Sequence, residues 1–169
     1  MIAFDFNNDK SIELILYFAN KKCMIDKLTL FKFLFYADVY HLNEYNRPIL
    51  GGKYVAMPLG PVSSQLRDIL EKGSSDFRVQ GNTIIANRES DNDYFSKSDL
   101  EALEYAFNQY SQYSGKELSK LSHNHKAWIK ATKREPNSKN PDIYYEDFFE
   151  NSEDIKIEFL KENAHLMVI

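Results

Sequence analysis

The sequence predicts an α+β fold: a mainly helical single domain with a small β-hairpin or short sheet. Three observations lead there. Apolar residues recur at helical spacing in several separate windows, most strongly over Asp26–Tyr40. Short runs rich in β-branched and aromatic residues flank turn signals, above all Phe77–Gln80 and Thr83–Ala86 around Gly81-Asn82. The helical and extended segments are segregated rather than alternating. The 169 residues suffice for one core, and no internal repeat, low-complexity linker or domain boundary interrupts them. Residues 1–169 are therefore taken as one domain.

The elements follow in order. Residues 1–8 form an extended arm. Asp9–Asn20 is a helix with Ile12, Ile15, Leu16 and Ala19 on one face, and Lys21 and Lys22 suit its C-terminal end. In the Asp26–Tyr40 helix Asp26 is the N-cap. Leu28, Phe31, Leu34 and Phe35 make one apolar face, and Leu30, Phe33 and Ala37 a second. A helix apolar on two sides belongs in the middle of a domain. Pro48 stops it. Lys53–Met57 suits a short strand through Tyr54, Val55 and Ala56. Gly60 turns the chain, and Pro61 opens a second helix carrying Val62, Leu66, Ile69 and Leu70, which Gly73 ends.

After the Gly81-Asn82 hairpin, Asn87–Tyr94 is a polar loop. Ser98-Asp99-Leu100-Glu101 reads as a capping box for a helix with Leu100, Leu103, Phe107 and Tyr110 on one face. Ser114-Gly115-Lys116-Glu117 is a second box, opening a short helix with Leu118 and Leu121. Lys126–Arg134 is a helix anchored by Trp128 and ended by Glu135-Pro136. Asn140-Pro141 reads as an N-cap with proline at the first helical position, the element carrying Ile143, Tyr144, Phe148 and Phe149. Ser152–Asn163 is a final helix and His165–Ile169 an apolar tail.

Composition narrows the function classes. Aromatic residues reach 14%, with 12 Phe and 11 Tyr, which fits a Phe-rich core and a Tyr-rich binding surface. A net charge of -4 argues against a general polyanion binder. The single Cys23 leaves no internal disulfide and suits a reducing cytoplasm. The start MIAFDFNNDK lacks the basic and apolar regions of a signal peptide, and no apolar run reaches the length of a membrane span.

Asp38 and His41 lie three residues apart and share a helix face, the geometry of an acid–base pair. No nucleophile or phosphate-binding glycine loop accompanies them, so they are read as tying the helix end to the Pro48 turn, and no catalytic residue is assigned. His123-Asn124-His125 invites a metal reading, but no Cys or His cluster supplies the further ligands. No metal and no cofactor is expected. Ser122 is expected instead to cap the Trp128 helix while His123 bonds into the core. Gly60-Pro61-Val62 at a helix N-terminus would offer N–H groups to an anion, less the one that proline removes. A tight turn fixing helix against strand is preferred.

Lys116, Lys120, Lys126, Lys130, Lys133 and Arg134 make a basic segment in which Lys126, Lys130 and Arg134 share a face, the strongest nucleic-acid signal in the chain. Asp142–Asp154 follows with six acidic residues and no Lys or Arg. Two opposed, mutually screening surfaces are expected, and nucleic acid is disfavoured as a partner.

Three pieces together resemble one known family. Tyr36-Ala37-Asp38 ends an apolar helix. Gly51-Gly52-Lys53-Tyr54 is a glycine-rich extended segment, followed by Gly60-Pro61-Val62 before a helix. Leu118-Ser119-Lys120-Leu121-Ser122-His123 lies downstream with Ala127-Trp128. In order and spacing they are similar to the Panacea antitoxin domain, also called the SocA-like antitoxin domain. The family-like core spans about 9–134, with a C-terminal helical extension at 140–169. The resemblance implies a prokaryotic or phage toxin–antitoxin system and a cytoplasmic, non-enzymatic antitoxin. Its partner would be a toxin encoded beside it, neutralised by direct contact, or handed by it as an adaptor to a protease. Tyr36, Asp38, His41, Tyr54, Gly60, Pro61, Val62, Ser119, Ser122, His123 and Trp128 are its motif positions, structural or partner-facing; homo-oligomerisation is left open. The alternatives are a nucleic-acid-binding regulator using the 116–134 segment and an enzyme centred on Asp38 and His41.

Overall fold

A computed structural model of the chain describes residues 1–150 and 154–169. Its α-helices are α1 (Asn8–Lys21), α2 (Lys27–Tyr45), α3 (Ser64–Lys72), α4 (Lys97–Tyr110), α5 (Gly115–Ser122), α6 (Lys126–Arg134) and α7 (Asp154–Asn163). Its strands are β1 (Ile25–Asp26), β2 (Tyr54–Met57), β3 (Gly60–Ser63), β4 (Phe77–Gln80), β5 (Thr83–Ala86) and β6 (Asp142–Ile143). They form two antiparallel three-stranded sheets, ordered β1-β5-β4 and β3-β2-β6. The fold is α+β, mainly helical, in one domain, as expected.

α2 is the central element. Asp26 caps it, its Oδ1 accepting from Thr29 N at 2.8 Å. α4, α5, β1 and β3 all pack on it. Leu30, Phe33, Leu34, Phe35 and Ala37 are buried, whereas Leu28 and Phe31 are only partly covered. Leu34→Ala should therefore cost about 2–5 kcal/mol, and Phe31→Ala clearly less. Equal shifts of the two unfolding midpoints would contradict this packing. The helix runs five residues past Tyr40 and ends in Asn46, left-handed at φ 64, two residues before Pro48.

Several boundaries differ from expectation. Gly60-Pro61-Val62 does not open a helix. It forms β3, paired with β2 through Val55↔Val62 and Ala56↔Pro61, and Ser63 is the N-cap of α3. A proline can take this place because Ala56 N, opposite it, bonds outward to Pro141 O at 2.8 Å. The capping box of α4 is built by Ser96 and Asp99, not by Ser98. Asn140-Pro141 starts no helix: Asp142-Ile143 is β6, an edge strand on β2, and Tyr145–Phe148 is a single 3-10 turn. Hydrophobic residues dense enough for helix or strand were resolved here by strand pairing. Of the helix expected over Ser152–Asn163, residues 152 and 153 lie outside the described residues. The Gly81-Asn82 hairpin and the Ser114–Glu117 box stand as expected.

The arm expected over residues 1–8 is extended through Asn7, the N-cap of α1, with Asn8 already in that helix, and it is docked. Ile2 and Phe4 are buried, Gly52 N donates to Phe4 O at 2.9 Å, and Asn7 N donates to Leu50 O at 2.8 Å. A Cβ at Gly51 would lie 2.1 Å from Asp5 O, so the glycine pair is where the arm passes.

Candidate functional site

Of the family-motif residues, Ser119, Ser122, His123 and Trp128 converge on the tip of the β2–β3 hairpin, whereas Tyr36, Asp38 and His41 lie along the C-terminal half of α2. A tight tip points its carbonyls away from the ladder, and each needs a donor from elsewhere. Four side chains supply them. Trp128 Nε1 donates to Met57 O at 3.0 Å, and Ser119 Oγ to Leu59 O at 2.9 Å. His123 Nε2 lies 2.8 Å from Pro58 O, which can only accept, so that nitrogen carries the proton. Lys32 Nζ donates to Pro61 O at 2.9 Å from the middle of α2. Ser122 does not cap α6; its Oγ donates to Ser119 O and rests against Gly60. The cap of α6 is His125, whose Nδ1 accepts from Ala127 N at 3.1 Å.

Lys32 was not among the expected site residues. It is wholly buried, and burial pushes its ammonium down to about 7. A lysine whose folded value is depressed contributes stability that is full above about 10.5 and lost as pH falls through about 7. Native stability should thus rise with pH across that window relative to a Lys32→Met variant. Parallel stability–pH curves for the two proteins, read by denaturant midpoints, would contradict the depressed value.

Asp38 and His41 tie the end of α2 to the turn that follows, the reading preferred over an acid–base pair. Asp38 Oδ1 accepts from Ile49 N at 2.7 Å and Oδ2 from Tyr54 Oη at 2.6 Å. Burial raises the Asp38 carboxyl to about 7 against those two donors. His41 Nδ1 lies 2.6 Å from Arg47 O and so carries the proton there, which leaves Nε2 to accept from Ser98 Oγ at 2.9 Å. Burial lowers the His41 value, in keeping with a neutral ring. No hydrogen bond joins Asp38 to His41.

Beside them lies a buried ionic cluster that sequence reading missed. Asp99 Oδ2 accepts from Lys10 Nζ at 2.9 Å and from Ser96 N at 3.0 Å. Arg47 Nη1 is 3.0 Å from Oδ1, outside hydrogen-bond alignment, and His41 Nε2 is 3.4 Å away. Burial alone would raise the Asp99 carboxyl, but Lys10 and Arg47 hold it below its ordinary value. The only sequence trace of the cluster was Asp99 at a capping position.

The basic face is turned onto the acidic segment. Lys130 and Arg134 pair with the buried Asp147 at 3.1 and 2.6 Å, Arg134 stacks on Tyr144 at 3.8 Å, and Lys126 Nζ donates to Glu150 O at 3.1 Å. The two charged surfaces meet directly rather than screening each other from a distance. Among the described residues no group of three or more His, Cys, Asp or Glu is placed to hold a metal ion, and no helix is long and apolar enough to cross a membrane.

A family model described as "Antitoxin SocA-like, Panacea domain" matches residues 30–129, more than half of the chain. The match begins in α2 and ends just past Trp128, so it encloses the hairpin tip and the side chains that hold it. No curated protein and no solved structure matches the chain.

Proposed function

The chain belongs to the SocA-like, Panacea-domain antitoxin family, and from that premise we propose that it neutralises a toxin encoded beside it by direct, stoichiometric binding. Masking of the toxin's active surface is the simplest such mechanism; delivery of the toxin to a protease uses the same docking step. The observation that carries the non-catalytic reading is the engagement of every candidate acid or base. Asp38 and His41 each hold a turn, and Asp99 is neutralised by Lys10 and Arg47. The motif residues Gly60, Pro61, Val62, Ser119, Ser122, His123 and Trp128 are proposed to fix the hairpin rather than to do chemistry. Pairing of Lys130 and Arg134 with Asp147 favours a protein partner over a polyanion.

Co-expression with the neighbouring gene tests the reading. Growth should be rescued, and the two proteins should co-purify. Asp38→Asn and His41→Gln should rescue as well wherever the variant remains folded. Failure of the native chain to rescue or bind its neighbour's product would remove the proposal. A nucleic acid bound with a steep salt dependence would favour the regulator instead.

A further inference from the structure

We propose that Ser98 is a nucleophile that takes up one acyl group from an activated acyl donor, a modification site separate from the docking of a partner. The sequence around His41 holds no nucleophile, but the fold brings one from 57 positions away. Ser98 is half-buried and lies in the first turn of α4, beside the end of α2. His41 Nε2, the unprotonated ring nitrogen, accepts from Ser98 Oγ at 2.9 Å. Arg47 O fixes that tautomer from the other side of the ring, 2.6 Å from Nδ1. Nucleophile, base and the acceptor that orients the base are thus joined by consecutive hydrogen bonds.

The neighbouring Ser96 shows what sets Ser98 apart. Ser96 Oγ accepts from Asp99 N and from Arg47 Nη2, each at 3.0 Å, which fills both its lone pairs. Its own proton turns to Ser98 Oγ, 3.1 Å away, because Ser98 already donates to His41. That contact uses one Ser98 lone pair. Arg47 Nη2 is 3.5 Å from Ser98 Oγ, beyond the roughly 2.7–3.2 Å of an N–H···O bond, so the second pair is free to attack. As the bond from Ser98 Oγ to the acyl carbon forms, the Ser98 proton passes to His41 Nε2. Asp99 Oδ1, buried and without a hydrogen-bond partner, lies 3.4 Å from that nitrogen and meets the positive ring. The carbonyl oxygen takes the negative charge of the adduct. Lys97 N and Ser98 N donate to no acceptor among the described residues, and they stand beside the nucleophile at the positive end of the 14-residue α4. Collapse of the adduct breaks the bond to the leaving group, which carries off the proton from His41, and an ester remains on Ser98. Phosphoryl transfer would call for clamps on three oxygens, whereas the one guanidinium here is held by Asp99 and Ser96. The product is a modified chain with one acyl group, and no turnover is implied.

The test treats the native chain with p-nitrophenyl acetate at neutral pH. Released p-nitrophenolate is followed by absorbance, acetylated positions are mapped by peptide mass spectrometry, and hydroxylamine separates serine esters from lysine amides. One fast acetylation per chain is expected, on Ser98. It should run about a hundredfold faster than acetylation of Ser96, the acceleration that a positioned base supplies, although Ser96 is the more exposed of the two. The preference should vanish in urea. Equal labelling of the two serines, labelling of Ser96 first, or no ester on Ser98 would overturn the proposal. His41→Gln, shown folded by a thermal melt, should slow the Ser98 reaction about a hundredfold and leave lysine acetylation unchanged. A folded variant that labels Ser98 as fast as the native chain would overturn the role of the base. The ratio of Ser98 to Ser96 is read in the native protein, so it decides the proposal even where the variant unfolds.

Discussion

Gly60→Ala should be among the most damaging single substitutions, at about 2–6 kcal/mol. Two causes add. The backbone sits at φ 105, which a side chain strains by about 1–3 kcal/mol. A Cβ there would lie 2.2 Å from Ser122 Oγ and 2.7 Å from Lys32 Nζ, an overpacking of about 1–3 kcal/mol. The collision also pushes the Lys32 ammonium off Pro61 O, leaving a buried donor unmatched. Gly73 is the internal control. It too is left-handed, at φ 80, but a Cβ there meets nothing within 4 Å. Gly73→Ala should therefore cost only the backbone part, and Ser122→Ala should return part of the loss in a Gly60→Ala background. Equal costs at Gly60 and Gly73 would mean that the hairpin is not held as closely as described.

Asp99→Ala should cost about 3–5 kcal/mol, because it strands a buried ammonium. Lys10 is nearly inaccessible and would keep only the Ile49 carbonyl as a partner, at 3.2 Å. The same change uncaps α4, where Asp99 accepts from Ser96 N. Lys10→Met alone also leaves a buried charge, though Arg47 remains to Asp99. The double variant Lys10→Met/Asp99→Ala should then be less damaging than the two single costs added together. Strict additivity in that cycle, measured by denaturant unfolding, would show that the two charges do not interact.

The sequence made the local elements legible because their signals are local. Helical spacing located α1, α2 and α4, and turn chemistry placed β4 and β5 to the residue. Gly60-Pro61 was misread because glycine-proline before an apolar run also opens helices. Only its pairing with Tyr54–Met57, and the outward bond from Ala56, made it a strand. The Ser98 box failed for a similar reason: Ser96 and Ser98 each have an acid three residues on, and the fold uses Asp99 to close the box on Ser96 while Glu101 accepts from the Tyr40 and Tyr45 hydroxyls. The motif residues were readable as a set, but not their purpose. Carbonyl capping of the hairpin tip joins positions up to 71 residues apart, as Trp128 to Met57 does. Lys10 and Lys32 were invisible because a buried lysine has no signature in its neighbours. α1 and α2 carry each at a place where periodicity alone predicts an ordinary polar residue.

The proposed neutralisation is non-catalytic and stoichiometric, and a titration of the neighbouring gene's purified product with this protein, following residual toxin activity, tests it. Residual activity should fall linearly to an endpoint at equimolar protein, unchanged by incubation time and unchanged in folded Asp38→Asn and His41→Gln variants. Complete protection by trace amounts, growing with time and abolished by either folded variant, would contradict it.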